Sequence, residues 1–120
     1  MPRAISRTTR RAPRKRSRTL AASLPYEPWL IEQLKHPAEA AAYLEAVIEE
    51  GDQAALMLAL RQVAQAQGGI AEIARKAKLT REATYKMLSK SGNPELRSLN
   101  AVLKAAGLRI ALRPIEKRAA

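Results

Sequence analysis

The stretch IAEIARKAKLTREATYKML, residues 70–88, decides how this chain is read. Ile70, Ile73, Ala74 and Ala77 recur at helical spacing, so residues 70–77 predict a short helix with those four side chains inward. Leu79 lies in a tight connection. Thr80 can accept a hydrogen bond from a free N–H of the next helix, which runs to about Lys90 before Ser91-Gly92 stops it. Two short helices that cross at a sharp turn need a small residue at the crossing, and Ala74 supplies it. The turn falls four residues later, at Lys78, and the apolar offsets are filled by Ile73, Ala77, Leu79 and Met87. Thr84 takes the last core position and matches weakly because of its hydroxyl. Lys78 is a second departure, since glycine adopts the positive φ of such a turn at no steric cost. The pattern is that of a helix-turn-helix. In it Ala83, Met87 and Leu88 point inward, and Arg81, Glu82, Tyr85, Lys86 and Ser89 project along one side of the second helix.

Outward from this stretch the chain reads as further helices. On the C-terminal side, Asn93 with Pro94 at the first position predicts another helix, faced by Leu96, Leu99, Leu103 and Ala106 and ended by Gly107. Leu108, Ile110 and Leu112 then alternate with Arg109, Ala111 and Arg113, which is strand periodicity, and Pro114 makes this a terminal or edge strand. A lone strand in a helical chain needs a partner, and a second copy of the chain would supply one. On the N-terminal side, Asp52 caps a helix that is apolar nearly all round from Ala54 to Leu60, becomes polar at Arg61 and Gln62, and ends at Gly68-Gly69. Before it, Pro37 opens a helix with Ala40, Tyr43, Leu44, Val47 and Ile48 in one stripe, Glu45, Glu49 and Glu50 off it, and Gly51 at its end. The expected fold is therefore all-α, a five-helix helix-turn-helix domain over residues 37–116. Residues 20–36 form a linker with a short helical segment, and residues 117–120 a C-terminal tail.

Charge separates the remaining region. The net charge is +11, and eight Arg or Lys with no acid lie in residues 1–18, so subtracting those eight leaves +3 for the rest. Residues 1–19 hold almost nothing apolar and are read as a disordered basic tail. The tail serves either as a solvated segment without a specific role or as a phosphate-binding arm. It also has the composition of a transit peptide, but Pro2 and Pro13 interrupt it and no amphipathic face emerges. No cysteine is present and His36 is the lone histidine. That removes disulfides, a thiol nucleophile and the commonest zinc sites, and no cofactor is expected. Nor is an enzyme: His36 has no nucleophile beside it, and the glutamates at 45, 49 and 50 read as a solvated face. No apolar run is long enough for a bilayer, and the protein is expected in the cytoplasm, off the membrane.

A surplus of positive charge points to a polyanion. Arg81 is the candidate base reader, because its fork matches the two acceptors of guanine. Tyr85, Glu82 and Ser89 contact bases or backbone, and Lys86 and Lys90, flanked by Arg75 and Lys78, contact phosphate. Thr80 and the N–H groups at its helix end can take a phosphate. The plainer reading of the same residues is the solvated face of an ordinary short helix.

At this point the chain resembles the HigA-like helix-turn-helix antidote (antitoxin) proteins of bacterial addiction modules. The resemblance rests on AAYLEAVIEEGD at 41–52 and ALRQVAQAQGGIAEIARKAKLTREATYKMLSKSGNPELRSLNAVLKAAGLRI at 59–110. It implies a lambda-repressor-like fold, neutralisation of a RelE-like toxin, and binding of double-stranded operator DNA as a homodimeric autorepressor. Lys78 departs from the glycine usual in the family's turn, and the Arg-rich extension exceeds the family pattern. Leu24, Tyr26, Trp29, Leu30 and Leu34 are the candidate toxin-binding residues, since aromatic residues often anchor interfaces. The same residues also read as packing of Trp29 on the domain's own core. Two other functions share the DNA face or the charge. One is a stand-alone or phage-type regulator without a toxin. The other is a nucleic-acid binder driven by the tail, without sequence preference.

Overall fold

The structure is a computed structural model that describes residues 26–116. The Arg-rich stretch 1–19, Leu24 and the tail at 117–120 lie outside the described residues. Six helices are present among the described residues: α1 (Tyr26–Gln33), α2 (Pro37–Glu50), α3 (Gln53–Ala66), α4 (Ile70–Ala77), α5 (Arg81–Met87) and α6 (Leu96–Ala105). The all-α expectation holds, with one helix more than the five expected for residues 37–116. The addition is α1, which grows from the short helical segment of residues 20–36. Pro28 lies in its first turn, where a missing N–H breaks no helical bond. Leu30 and Leu34, four apart and so on one face, seat α1 on α3.

Helix α3 is the centre of the fold, as its near-continuous apolar run predicts. Met57, Ala59, Leu60, Val63 and Ala64 are all buried, and α1, α2 and α4 pack around it. Asp52 caps it, its carboxylate accepting the Ala55 N–H at 3.1 Å. Gln62, at the point where the helix was expected to turn polar, is buried too. Its carbonyl accepts the Tyr43 hydroxyl at 2.6 Å and its amide donates to Glu27 at 2.8 Å. One buried amide thus ties α1, α2 and α3 together, and burial, followed by the neighbouring Tyr26 and acids, raises the Tyr43 pKa to about 12.

Two expected apolar stripes run past the core. Ile48 of α2 and Leu96 of α6 are exposed, whereas Val102 is the buried residue of α6. The start of α6 also differs from expectation. Asn93 does not cap it; Glu95 is the extended residue before it, and its charge suits a helix N-terminus. The Gly92 carbonyl is held by the Gln53 amide at 3.0 Å, so Asn93 and Pro94 are used in crossing from α5 to α6. Gly107 ends α6 with φ 85°, while its N–H reaches the Lys104 carbonyl and that of Leu108 the Leu103 carbonyl at 2.8 Å. Residues 108–116 follow with no helix or strand, so the alternation at 108–113 is not a strand within the single chain.

The turn between α4 and α5 is where the sequence places it. Lys78 has φ 61°, and it is the single non-glycine residue with positive φ among the described residues. Its N–H and that of Leu79 bond back to the Arg75 and Ala74 carbonyls at 3.2 and 2.9 Å. An L side chain is strained in this conformation and glycine is not. Lys78→Gly is therefore expected to raise stability by about 0.5–1 kcal/mol, a few degrees in thermal melting. A loss of stability would contradict the left-handed turn.

Candidate nucleic-acid interface

Helix α5 has only seven residues, so its neighbours must hold it. Thr80 begins it, with Oγ1 accepting the Ala83 N–H at 3.0 Å. Thr84 is fully buried, and its hydroxyl donates to the Thr80 carbonyl at 2.8 Å. The expected inward set is corrected here. Thr84 and Leu88 are buried, Met87 is half-buried, and Ala83 is exposed. A threonine fits the apolar position because its hydroxyl finds a backbone acceptor one turn back. At the other end of α5, the Arg61 guanidinium donates to the Leu88 carbonyl. This bond joins residues 27 apart, and sequence reasoning missed it. Its one local signal is an arginine that follows the apolar run of α3.

Four of the five residues expected to project outward do so, and Ser89 does not. Arg81, Glu82, Lys86 and Lys90 are exposed, and Tyr85 is half-exposed. Thr80, Arg81, Glu82 and Tyr85 line one shallow surface hollow. Ser89 is half-buried, and its hydroxyl donates to the Lys86 carbonyl, so it is turned toward its own helix. Thr80 is likewise engaged as a cap. Lys78 stands exposed at the turn. Arg75 is exposed but forked onto Glu72, with its Nε 3.1 Å from one carboxylate oxygen and its Nη2 bonded to the other. That hydrogen bond holds the Glu72 carboxyl below its ordinary range. An exposed pair of this kind contributes little to stability, but it partly neutralises Arg75 at the edge of the face. The strongest exposed positive charge at the start of α5 is therefore Arg81.

Of the five candidate toxin-binding positions, the four described ones do not form one exposed surface. Leu24 lies outside the described residues. Leu30 and Leu34 are 5% and 1% exposed and belong to the core. Trp29 is 55% exposed, and Tyr26, half-buried, packs beside it with ring centroids 5.6 Å apart. Only these two remain available to a partner. The i, i+4 spacing of Leu30 and Leu34 was the signal that they face inward.

Among the described residues no group of three or more His, Asp or Glu is placed to hold a metal ion, and no helix is long and apolar enough to cross a membrane.

Comparison with known proteins adds a family. Residues 29–114 match the family model described as "Probable addiction module antidote protein". A protein of Haemophilus influenzae described as uncharacterized is 35% identical over 77 residues, which cover 64% of this chain and 78% of that one. No solved structure matches the chain.

Proposed function

This chain belongs to the family of probable addiction module antidote proteins, and from that premise we propose that it is a HigA-like antitoxin that neutralises a RelE-like toxin and represses its own operator. In this reading α4, the turn at Lys78 and α5 form a lambda-repressor-like helix-turn-helix. The chain binds double-stranded DNA as a homodimer, with α5 in the major groove.

The observation that supports DNA reading is the outward face of α5. Arg81, Glu82 and Tyr85 line a common hollow on a helix pinned at one end by Thr80 and at the other by Arg61. A reader of base edges needs side chains whose backbone does not move, and recognition helices place their first residues nearest the bases. Arg81 supplies the guanine fork, Glu82 accepts from cytosine or orients Arg81, and Tyr85 meets bases or sugar. Lys86, Lys90 and Lys78 contact phosphate, with Arg75 and Ser89 in lesser roles. The toxin meets the exposed pair Tyr26 and Trp29, where two rings offer a rigid apolar anchor.

The toxin half is tested by co-producing the chain with the product of the adjacent toxin gene. Growth is expected to recover, and the two proteins should purify as one complex. Trp29 is the sole tryptophan, so its emission should shift to shorter wavelength on complex formation. Persistent growth arrest with no complex would contradict the antitoxin reading. A complex with unchanged emission would move the toxin surface elsewhere.

A further inference from the structure

The domain carries an apolar groove that its own chain only partly fills. Its walls are Ile48 of α2, Leu56 of α3 and Leu99 and Leu103 of α6, and Leu108 and Ile110 lie along one side. Ile48 is 59% exposed there. Beyond the groove the chain carries more apolar surface into solvent, for Leu112 and Ile115 are 91% and 92% exposed. Residues 109–116 make no backbone hydrogen bond to any other described residue. Side chains that alternate apolar and basic, on a backbone with free donors and acceptors, are what an antiparallel partner strand satisfies.

We propose that residues 108–113 pair antiparallel with the same residues of a second copy of this chain, in a register centred on Ile110, so that Leu112 of each protomer covers the groove of the other. This deepens the dimer of the proposed function and rests on that part of the reading alone. The register follows from the sequence. Centred on Ile110, Ile110 faces its own copy, Leu108 faces Leu112, and Arg109 faces Ala111. All three apolar residues then share one face. Centred on Ala111, Arg109 would stand opposite Arg113, and like charges directly opposite are unfavourable. An odd offset would set Leu112 against Arg109 and split the apolar face. Pro114, with no N–H, ends the ladder just beyond the paired stretch.

Charge identifies the occupant as this chain. The α2 rim of the groove is acidic, with Glu45 and Glu49 exposed one turn apart. The segment is basic, and its Arg113 already reaches Glu45 at 3.6 Å. Two copies bring four arginines, at positions 109 and 113, against two such acidic rims. Leu112 opposes the partner's Leu108, which itself borders the groove, so a side chain that is 91% exposed in the single chain falls where the groove is open. Symmetric dimers are built from such self-complementary patches.

The test uses the full chain without DNA or toxin. Light scattering over a concentration series should give the mass of a dimer, and Leu112→Asp, at a site exposed in the single chain, should weaken association at least about tenfold while the helical spectrum is kept. The chain has no cysteine. Ile110→Cys is then expected to oxidise to a covalent homodimer, because directly opposed residues sit about 4.5–5.5 Å apart at Cα, within disulfide reach. Leu112→Cys alone should cross-link poorly, and Leu108→Cys with Leu112→Cys well. A monomeric wild type would overturn both this inference and the dimer in the proposed function. A dimer that ignores Leu112→Asp, or that cross-links through position 112 as readily as through 110, would overturn the inference and leave the proposed function standing.

Discussion

Leu34→Ala is expected to destabilise the domain by about 2–5 kcal/mol, because it empties a fully packed site. Leu34 is 1% exposed and lies in the contiguous core with Leu30, Leu60 and Val63. Truncation removes the transfer free energy of its methyl groups and leaves a cavity that the surrounding core closes only in part. The change also loosens the turn after α1, where the Leu34 and Lys35 carbonyls accept from the Gln67 amide at 3.1 and 3.4 Å. In a domain of this size each kcal/mol shifts the melting temperature by roughly 4–8 °C, so the midpoint should fall by about 8–40 °C. Trp29→Ala provides the contrast. Its ring is exposed and packs mainly beside Tyr26, so about 1 kcal/mol is expected. Thermal melts followed by helical ellipticity decide between them. Equal, small losses would show that α1 is a loosely attached segment and not part of the core.

Gly92→Ala is the second large effect, and it arises from crowding where Leu34→Ala arises from a void. A Cβ built at Gly92 would lie 2.0 Å from the Met87 carbonyl oxygen and 3.0 Å from that of Ser89. Both are backbone atoms, so no side chain can swing aside. Relief requires the crossing from α5 to α6 to move, and with it the Gln53 bond to the Gly92 carbonyl. A cost of about 1–3 kcal/mol or more is expected, typical of overpacking against a fixed neighbour. The consequence extends to the proposed interface, because the same displacement pulls on the end of α5. Gly51→Ala is the matched control. It has open space around its Cβ position and only the strain of φ 77° to bear, about 1 kcal/mol. If the two variants melt together, the close approach at Gly92 is not a feature of the folded protein.

Much of this fold was legible because its helices carry local punctuation. Asp52 and Thr80 cap where their side chains predict, Gly51 and Gly107 terminate where left-handed residues are needed, and Lys78 holds the turn despite its Cβ. What failed was reading burial from apolarity alone. Ala83 was expected inward and is exposed, whereas Thr84, a weak match at its expected core position, is fully buried because a hydroxyl that bonds one turn back no longer needs water. Gln62 is buried for a similar reason, satisfied by Tyr43 and Glu27 from other helices. Ile48 and Leu96 lie on their helices' apolar stripes and remain exposed, since a stripe says which way residues face and not what covers them. Asn93 has the chemistry of a cap, but the tertiary bond at Gly92 sets where α6 begins. In the candidate site, Arg81, Glu82 and Tyr85 were legible from helical spacing. Arg61 was not, because its bond to the Leu88 carbonyl spans two helices.

Whether α5 reads DNA through Arg81 is decided by a binding titration. The full chain and its Arg81→Ala variant are titrated against DNA from the gene's own upstream region and against a scrambled duplex, at near-physiological salt. The wild type is expected to prefer its own region by about a thousandfold or more, and Arg81→Ala to lose much of that preference while its melting temperature is unchanged. Equal affinity for both duplexes, the same in Arg81→Ala as in the wild type, would contradict that reading and leave the outward face of α5 as no more than the solvated side of a short helix.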